Sequence, residues 1–266
     1  MMRLSFCFAT ASLLAGCGSI AGVTPEQNQA AATVAVQHSE WVPAAIKTAD
    51  QIPVVGKLYS APNPKAIIVL FHQAGSSKDE YNNIAPRLVK LGYTALAIDQ
   101  RAGGSLFGDN STATVIGKQV PFIDAQKDLQ GAVDWVREQY DPLKLPVILW
   151  GSSYSAALVF PVAVDNDDVV RAVLAFSPAE YFDDTHFVRK AAAKVTAPVF
   201  ITQAKDGEEI AAAKQIFDTL PGPNKQQFVP KTAGVHGSST LIDARDPKGA
   251  AENWAAVEAF LKKVAP

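Results

Sequence analysis

Three serines occupy four consecutive positions within "LWGSSYSAAL", residues 149–158. An apolar run precedes them and an alanine-rich stretch follows, the layout of a strand that turns sharply into a helix. A serine on such a turn is placed for nucleophilic attack. Its hydroxyl stands above the strand, and its backbone lies at a helix N-terminus, where developing negative charge is favoured. Gly151-Ser152-Ser153-Tyr154-Ser155 matches the nucleophile-elbow pattern G-x-S-x-G at its first and third positions, with Ser155 in place of the last glycine. The pattern needs small flanking residues because the turn is tight and the helix packs closely on the strand. Serine is the next smallest polar choice. The frame selects Ser153, not Ser152, as nucleophile. Taken alone, the stretch also reads as an ordinary β-to-α turn with incidental serines.

A serine nucleophile needs a base, and the base needs an orienting carboxylate. After an elbow serine the acid comes next in the chain and the histidine last. Of His38, His72, His186 and His236, His236 alone is late enough to serve from the loop after the last strand. It sits in "TAGVHGSST", polar and glycine-flanked, as a side chain reaching into a cleft requires. The acid is expected just beyond a strand, and "VFITQAKDGEE" puts Asp206 there. Asp206 also suits the N-cap of the helix that follows. Its rivals are Glu208, and Asp183 or Asp184 after the preceding strand.

The tetrahedral intermediate needs two preorganised N–H donors, each worth about 2.7–4 kcal/mol. The backbone N–H of Tyr154, directly after Ser153, is one candidate. The other comes from the loop His72-Gln73-Ala74-Gly75-Ser76-Ser77, through the amide of Gln73 or of Ala74. This loop resembles the HG-type oxyanion loops of esterases, with Gln73 where glycine is usual. His72 stands too early to be the base and is read as an imidazole that braces the loop.

"FHQAGSS", "AIDQRAGG", "LWGSSYSAA", "AKDGEE" and "VHGSS" follow one another in register. On these motifs the chain resembles the α/β-hydrolase superfamily over about residues 40–264, and within it the small members related to dienelactone hydrolase. The resemblance implies an α/β-hydrolase fold without a large lid domain and an acyl-enzyme mechanism. Dienelactone hydrolases use a cysteine nucleophile. A serine occupies that place here, so their substrate is not carried across.

Such a site needs elements that can hold it. "KAIIVLFH", "YTALAID" and "LPVILWG" are continuous apolar runs, the signature of strands buried on both faces in a parallel sheet. Helical spacing follows each, in "DEYNNIAPRLVKLG", "FIDAQKDLQGAVDWVREQY" and "SYSAALVFPVAV", the last interrupted by Pro161. The alternation continues through the strands "VRAVLAFSP", "APVFITQAKD" and "KQQFVPKTAGVHG". Between and after them come the helical segments "EYFDDTHFVRKAAAK", "GEEIAAAKQIFDTL" and "AAENWAAVEAFLKKV". "EWVPAAIKTAD" and "VVGKLYSAP" add an antiparallel start. The fold class is α/β, a doubly wound, mostly parallel sheet with ligands beyond the carboxyl ends of its strands. The polar, glycine-rich segment 100–121 leaves such an end and is expected to overhang the site, with Asp99 and Arg101 paired at its base.

Hydrophobic residues make up 48 % of the 266, and the net charge is −2. With no concentrated basic stripe, nucleic acid is not an expected partner. The two cysteines, Cys7 and Cys17, both precede the domain, so no disulfide framework is expected within it. The histidines show no HExxH spacing, and no metal or organic cofactor is expected.

"MMRLSFCFATASLLAGCGS" carries one positive charge, an apolar run too short to span a bilayer, and small residues. Leu14-Ala15-Gly16-Cys17 resembles the lipobox of bacterial lipoproteins, which implies cleavage before Cys17 and its acylation. The expected organisation is a signal peptide over 1–16, a lipid-anchored tether over 17–38 and a hydrolase domain over 39–266. The expected place is the bacterial cell envelope, anchored to a membrane and facing the periplasm or exterior. The expected activity is a serine hydrolase with Ser153, Asp206 and His236 as triad, acting on a small ester or related acyl substrate. The alternative is a non-catalytic envelope binding or scaffold lipoprotein on a degenerate hydrolase fold. Several acyl chains anchor a protein firmly, at about 0.8 kcal/mol per buried methylene. Cys17→Ser is therefore expected to move the protein out of the membrane fraction, read by fractionation at high salt.

Overall fold

The computed structural model describes residues 40–141 and 145–266. The expected signal peptide over 1–16 and tether over 17–38, with Cys17, lie outside the described residues. The described chain opens with a hairpin of β1 (Val42–Lys47) and β2 (Pro53–Tyr59), paired antiparallel from Val42 opposite Leu58 to Lys47 opposite Pro53. Gln51 turns the corner with a φ of 62°, and the Thr48 hydroxyl accepts the Ile52 N–H at 2.9 Å. β3 (Ile67–Phe71), β4 (Thr94–Ile98) and β5 (Val147–Ser152) are buried along their whole length, as their unbroken apolar runs require. β6 (Val170–Phe176), β7 (Val199–Thr202) and β8 (Lys225–Phe228) complete an eight-stranded sheet in the order β1-β2-β4-β3-β5-β6-β7-β8. β2 is antiparallel to both of its neighbours, and from β4 to β8 every pairing is parallel.

Strand side chains alternate between two cores. Ile67, Val69, Phe71, Leu149, Val173 and Ile201 face one core. There they meet α3 (Gln126–Gln139), α4 (Tyr154–Asp165), α5 (Phe187–Ala192) and α6 (Gly207–Thr219). Ile68, Leu70, Ile148, Trp150, Leu174 and Phe200 face the other, against α1 (Ala85–Lys90) and α7 (Ala250–Val264). The sheet is thus covered on both faces, the α/β-hydrolase architecture, and the described chain carries no large lid.

Local structure departs from the sequence pattern in four places. The helix expected over "DEYNNIAPRLVKLG" is a 3-10 turn at Lys78–Tyr81 followed by α1, with Pro86 in its first turn. Segment 100–121 contains a helix of its own, α2 (Ser111–Ile116). The Asn110 side chain caps it by accepting the Ala113 N–H at 2.8 Å, and Gly117 ends it with a φ of 68°. α5 is shorter than its pattern suggested. Pro161 lies inside α4, which continues past it because that helix is buried on nearly all sides and packing overrides propensity.

The expected Asp99–Arg101 pair does not form. Asp99, fully buried at the end of β4, binds Lys78 Nζ at 2.8 Å and accepts the N–H groups of Lys78 and Ser111. Arg101 turns the opposite way. Its guanidinium bonds Asp128 Oδ1 on α3 at 2.8 and 2.9 Å and clasps Asp50 in two bonds of 2.6 and 2.9 Å. Asp99 and Arg101, two residues apart, thus find partners on different elements, and both fix the start of the overhanging segment. Asp128 has no solvent exposure, and Arg101 is 6 % exposed. Asp128→Ala removes the buried partner and leaves the guanidinium with Asp50 alone, a loss expected at the low end of the about 3–5 kcal/mol that breaking a buried pair costs. Urea unfolding is expected to show a lowered midpoint of that order with an unchanged slope.

Candidate active site

β5 runs straight into α4, and the residue between them is Ser153. Its backbone lies at φ 59° and ψ −123°, a region that non-glycine residues rarely adopt. Neighbours hold it there. The Ser153 N–H donates to Phe176 O at 2.8 Å, and Ser153 O accepts the Ala156 N–H at 2.8 Å. Gly151 is obligatory, because an added Cβ would fall 2.6 Å from Ala156 Cα and against Ser155 O. The last position of the elbow tolerates serine for a visible reason. Ser155 Oγ donates to His72 O at 2.6 Å and accepts from Gln100 Nε2, so its hydroxyl ties the helix to the end of β3.

Tyr154 is the first residue of α4, and its N–H belongs to the helix-terminal amides that have no carbonyl within the helix. Its phenol accepts from Gln100 Nε2 at 2.9 Å, and its ring stacks on Phe122 with centroids 4.6 Å apart. The loop after β3 lies alongside. His72 is completely buried, and Nδ1–H donates to Gln73 O at 2.8 Å while Nε2 accepts the Gln100 N–H at 3.0 Å. Burial pushes its pKa down to about 4, so it stays neutral and braces the loop. The Gln73 N–H donates to Glu80 Oε2 at 2.8 Å. Of the two loop amides considered from the sequence, Gln73 is therefore committed elsewhere, and Ala74 is the one left.

His236 lies after β8 in the loop that opens the 3-10 turn Gly237–Leu241. Its Nδ1–H donates to a carboxylate at 2.8 Å, and that carboxylate is Glu209. Asp206, the acid expected from the sequence, is exposed and does other work. Its Oδ1 accepts the N–H groups of Glu208 and Glu209 at 2.9 and 3.1 Å as the N-cap of α6. Glu208 is exposed at the surface. Asp184 pairs with Lys190 away from His236. The reason for the shift is reach. The strand-end position is spent on starting the helix, and the longer side chain one turn on spans the gap to the imidazole. The spacing Asp206-x-x-Glu209 is that of a capping box, a signal that could have assigned Asp206 to the cap and pointed to Glu209.

Glu209 is held by three donors: His236 Nδ1, the Ser177 hydroxyl at 2.7 Å and the Ala204 N–H at 3.0 Å. Burial alone would raise its pKa, but these bonds outweigh burial and hold it below its ordinary value. The N-terminus of α6 favours the same anion. Ser177, which sequence reasoning passed over, has a φ of 55°, and its Oγ also accepts the Gly237 N–H at 2.9 Å. Gly237 needs its positive φ of 66° and its missing side chain, since a Cβ would meet Ser152 Oγ at 2.5 Å. Ser238 N–H donates to Ser152 Oγ at 2.9 Å, which fastens the histidine loop to the residue before Ser153. Beside the loop of Ala74, a cavity of about 630 Å³ is lined by Gly75, Arg101, Ala102, Val120, Pro121 and Phe122. Residues of the segment 100–121 form most of its wall. Among the described residues no cluster of His, Cys, Asp and Glu could hold a metal ion, and no helix is long and apolar enough to cross a membrane.

Known proteins share this architecture. An esterase of Pyrococcus furiosus superposes with a TM-score of 0.65 at 21 % identity, over 85 % of this chain and 93 % of that one. A dienelactone hydrolase from Anabaena variabilis gives 0.66 at 17 % identity, over 86 % of this chain and 100 % of that one. A monoglyceride lipase homolog of Monkeypox virus is 26 % identical over 132 residues, which span 50 % of this chain and 45 % of that protein. The model of the family described as serine aminopeptidase, S33, matches residues 62–213, more than half of the 266. With the elbow inside that matched stretch and the fold shared along most of its length, the chain belongs to the serine aminopeptidase S33 family of α/β-hydrolases.

Proposed function

We propose that the protein hydrolyses small carboxylic esters through an acyl-enzyme on Ser153, with His236 as base and Glu209 as its orienting acid. The observation that carries this reading is the pairing of a strained elbow serine with a histidine loop bonded both to Glu209 and to the residue before the elbow. Nδ1 of His236 is committed to Glu209, which leaves Nε2 as the atom that takes the proton of the Ser153 hydroxyl. Ser153 Oγ then bonds the ester carbonyl carbon. The carbonyl oxygen becomes an oxyanion, received by the N–H groups of Tyr154 and Ala74. The imidazolium returns its proton to the departing alcohol. Water, deprotonated by the same nitrogen, attacks the acyl-enzyme and releases the acid with Ser153 restored. The ionised Glu209 stabilises the imidazolium in both halves and keeps the proton on Nδ1 when the ring is neutral.

Esters are favoured over amides by the likeness in fold to esterases, by the monoglyceride lipase homolog and by an open cavity beside the oxyanion loop. The cavity's mixture of Arg101, glycine and apolar side chains suits a compact acyl or alcohol group. Anchoring at the envelope through an acylated Cys17 belongs to the same reading and would place the cleft near a membrane surface.

Two experiments test it. Ser153→Ala is expected to abolish labelling by a fluorophosphonate and hydrolysis of p-nitrophenyl esters with the circular dichroism unchanged. Ser152→Ala is expected still to label, because that hydroxyl is turned to Glu80. Label retained in the Ser153 variant would remove the nucleophile. The acid is tested separately. Glu209→Gln is expected to lower kcat by about 10⁴, the scale set by loss of the orienting carboxylate in a serine triad. Asp206→Asn is expected to stay within about threefold of the native rate, since asparagine caps a helix about as well as aspartate. The opposite ranking of these two variants would return the role to Asp206.

A further inference from the structure

Glu80 is 1 % exposed and takes part in no ion pair among the described residues. Its neighbours on the same 3-10 turn are paired, Lys78 with Asp99 and Asp79 with Lys57, but Glu80 points inward under the cleft. Burying a carboxylate without a cation is costly, so its hydrogen bonds must do something other than anchor a charge pair. Oε2 accepts the Gln73 N–H at 2.8 Å, one residue before Ala74. Oε1 accepts the Ser152 hydroxyl at 2.7 Å, one residue before Ser153. Ser152 Oγ in turn accepts the Ser238 N–H at 2.9 Å, two residues after His236. One carboxylate therefore reaches the three loops on which the hydrolytic reading rests, each within two residues of a reacting group.

We propose that Glu80 is a positioning residue for hydrolysis: its ionised carboxylate locks the oxyanion loop, the nucleophile elbow and the histidine loop into one geometry. The proposal rests on the serine-hydrolase reading above. The direction of each bond shows why ionisation matters. Ser152 Oγ accepts from Ser238 and donates its own proton to Glu80. A proton added on Oε1 competes with the Ser152 hydroxyl for that oxygen, and one added on Oε2 weakens its acceptance from Gln73. Either way the carboxyl loses the charge that strengthens both bonds, and the elbow or the loop is held less firmly. An amide at this position has the same defect, because its NH₂ must face either Ser152 or the Gln73 N–H.

The groups around Glu80 leave it free to titrate. Burial pushes its pKa up to about 7, against the bonds from Gln73, Ser152 and Ser76 and the nearby His236, which lower it. From the loop after β3, His72 is neutral. Tyr81 beside it and Tyr154 on α4 are both raised well above their ordinary range and stay uncharged. With a folded pKa above that of a free carboxyl, the charged form is gained only as pH rises towards and past 7. Catalysis would then need the Glu80 proton to leave the free enzyme as well as a neutral imidazole base.

The test is the pH dependence of kcat/KM for a neutral p-nitrophenyl ester, which reports the free enzyme. The native acid limb is expected to steepen beyond a slope of one in log units and to approach two. Glu80→Gln is expected to return the slope to one. Well above both ionisations this variant is expected to lose about 10²-fold in kcat, the scale of a small misplacement of reacting groups, with KM within about threefold. A residue that only supported the fold would not change the number of protons in the profile. A native limb of unit slope overturns the proposal, and so does a Glu80→Gln enzyme with native kcat. If the variant does not fold, the native slope decides by itself. Fluorophosphonate labelling of the native protein separates the two levels. A labelled protein with a unit slope removes Glu80 alone, whereas an unlabelled one removes the serine-hydrolase reading together with it.

Discussion

The site depends on one sharp turn. Ser153 is held at φ 59° between β5 and α4, a conformation that costs a non-glycine residue of order 1–3 kcal/mol. That cost is offset by what surrounds it. The strand behind it is buried throughout, the helix ahead is buried on nearly all sides, and the Ser153 amide is bonded to Phe176 on the neighbouring strand. Gly151 permits the close approach of strand and helix, and any side chain there would collide with Ser155 and Ala156. The turn lifts one side chain above the sheet and aims a helix N-terminus at the same point. The two parallel strands on either side of β5, namely β3 and β6, then supply the loops that carry Ala74 and Ser177.

Polar groups at the ends of the buried strands are linked rather than left to water. His72, Gln100, Tyr154 and Ser155 form one network behind the elbow. Glu80, Ser152, Ser238 and Trp150 form another beneath it. Glu209, Ser177, Gly237 and His236 form a third at its side. In a low-dielectric interior such bonds are strong and unpaired groups are expensive, so each network has few alternative arrangements. This is how a site built almost entirely from loops acquires the rigidity of the sheet. The same logic explains the two departures from the glycine-rich pattern. Ser155 uses its hydroxyl to join β3 to α4, and Gln73 uses its side-chain amide to donate to Ser239 Oγ at 3.3 Å.

The overhanging segment is held by charge. Lys78–Asp99 fixes its start to the turn after β3, and Arg101 joins it to Asp128 on α3 and to Asp50 at the first hairpin. Beyond these clamps, Gly104 N–H donates to Ser76 O and Leu106 N–H to Gly75 O, which lays the segment against the loop of Ala74. Ala113 of α2 and Phe122, whose ring stacks on Tyr154, then line the cavity. The wall of the cavity is thus pinned to the backbone just after Ala74.

The sequence by itself determined the parts whose signals are local. Unbroken apolar runs such as Ile67–Phe71 and Val147–Trp150 can only be strands covered on both faces, and their alternation with helical segments dictates the doubly wound sheet. Gly151 set the frame that singles out Ser153, and chain order left His236 as the late histidine. What the sequence could not decide was partnership between side chains distant along the chain. Asp206 and Glu209 are the same chemistry three residues apart, and only the N-terminus of α6 turns one into a cap and the other towards His236. Asp99 and Arg101 are two residues apart, yet their side chains leave the strand end in different directions and find Lys78 and Asp128 instead of each other. Gln73 and Ala74 are adjacent amides, and the choice between them came from Glu80, a residue whose burial under the cleft no local pattern signals. In each case the deciding quantity is a distance of about 3 Å between hydrogen-bonding atoms, which the packing of helices onto the sheet sets and residue spacing does not.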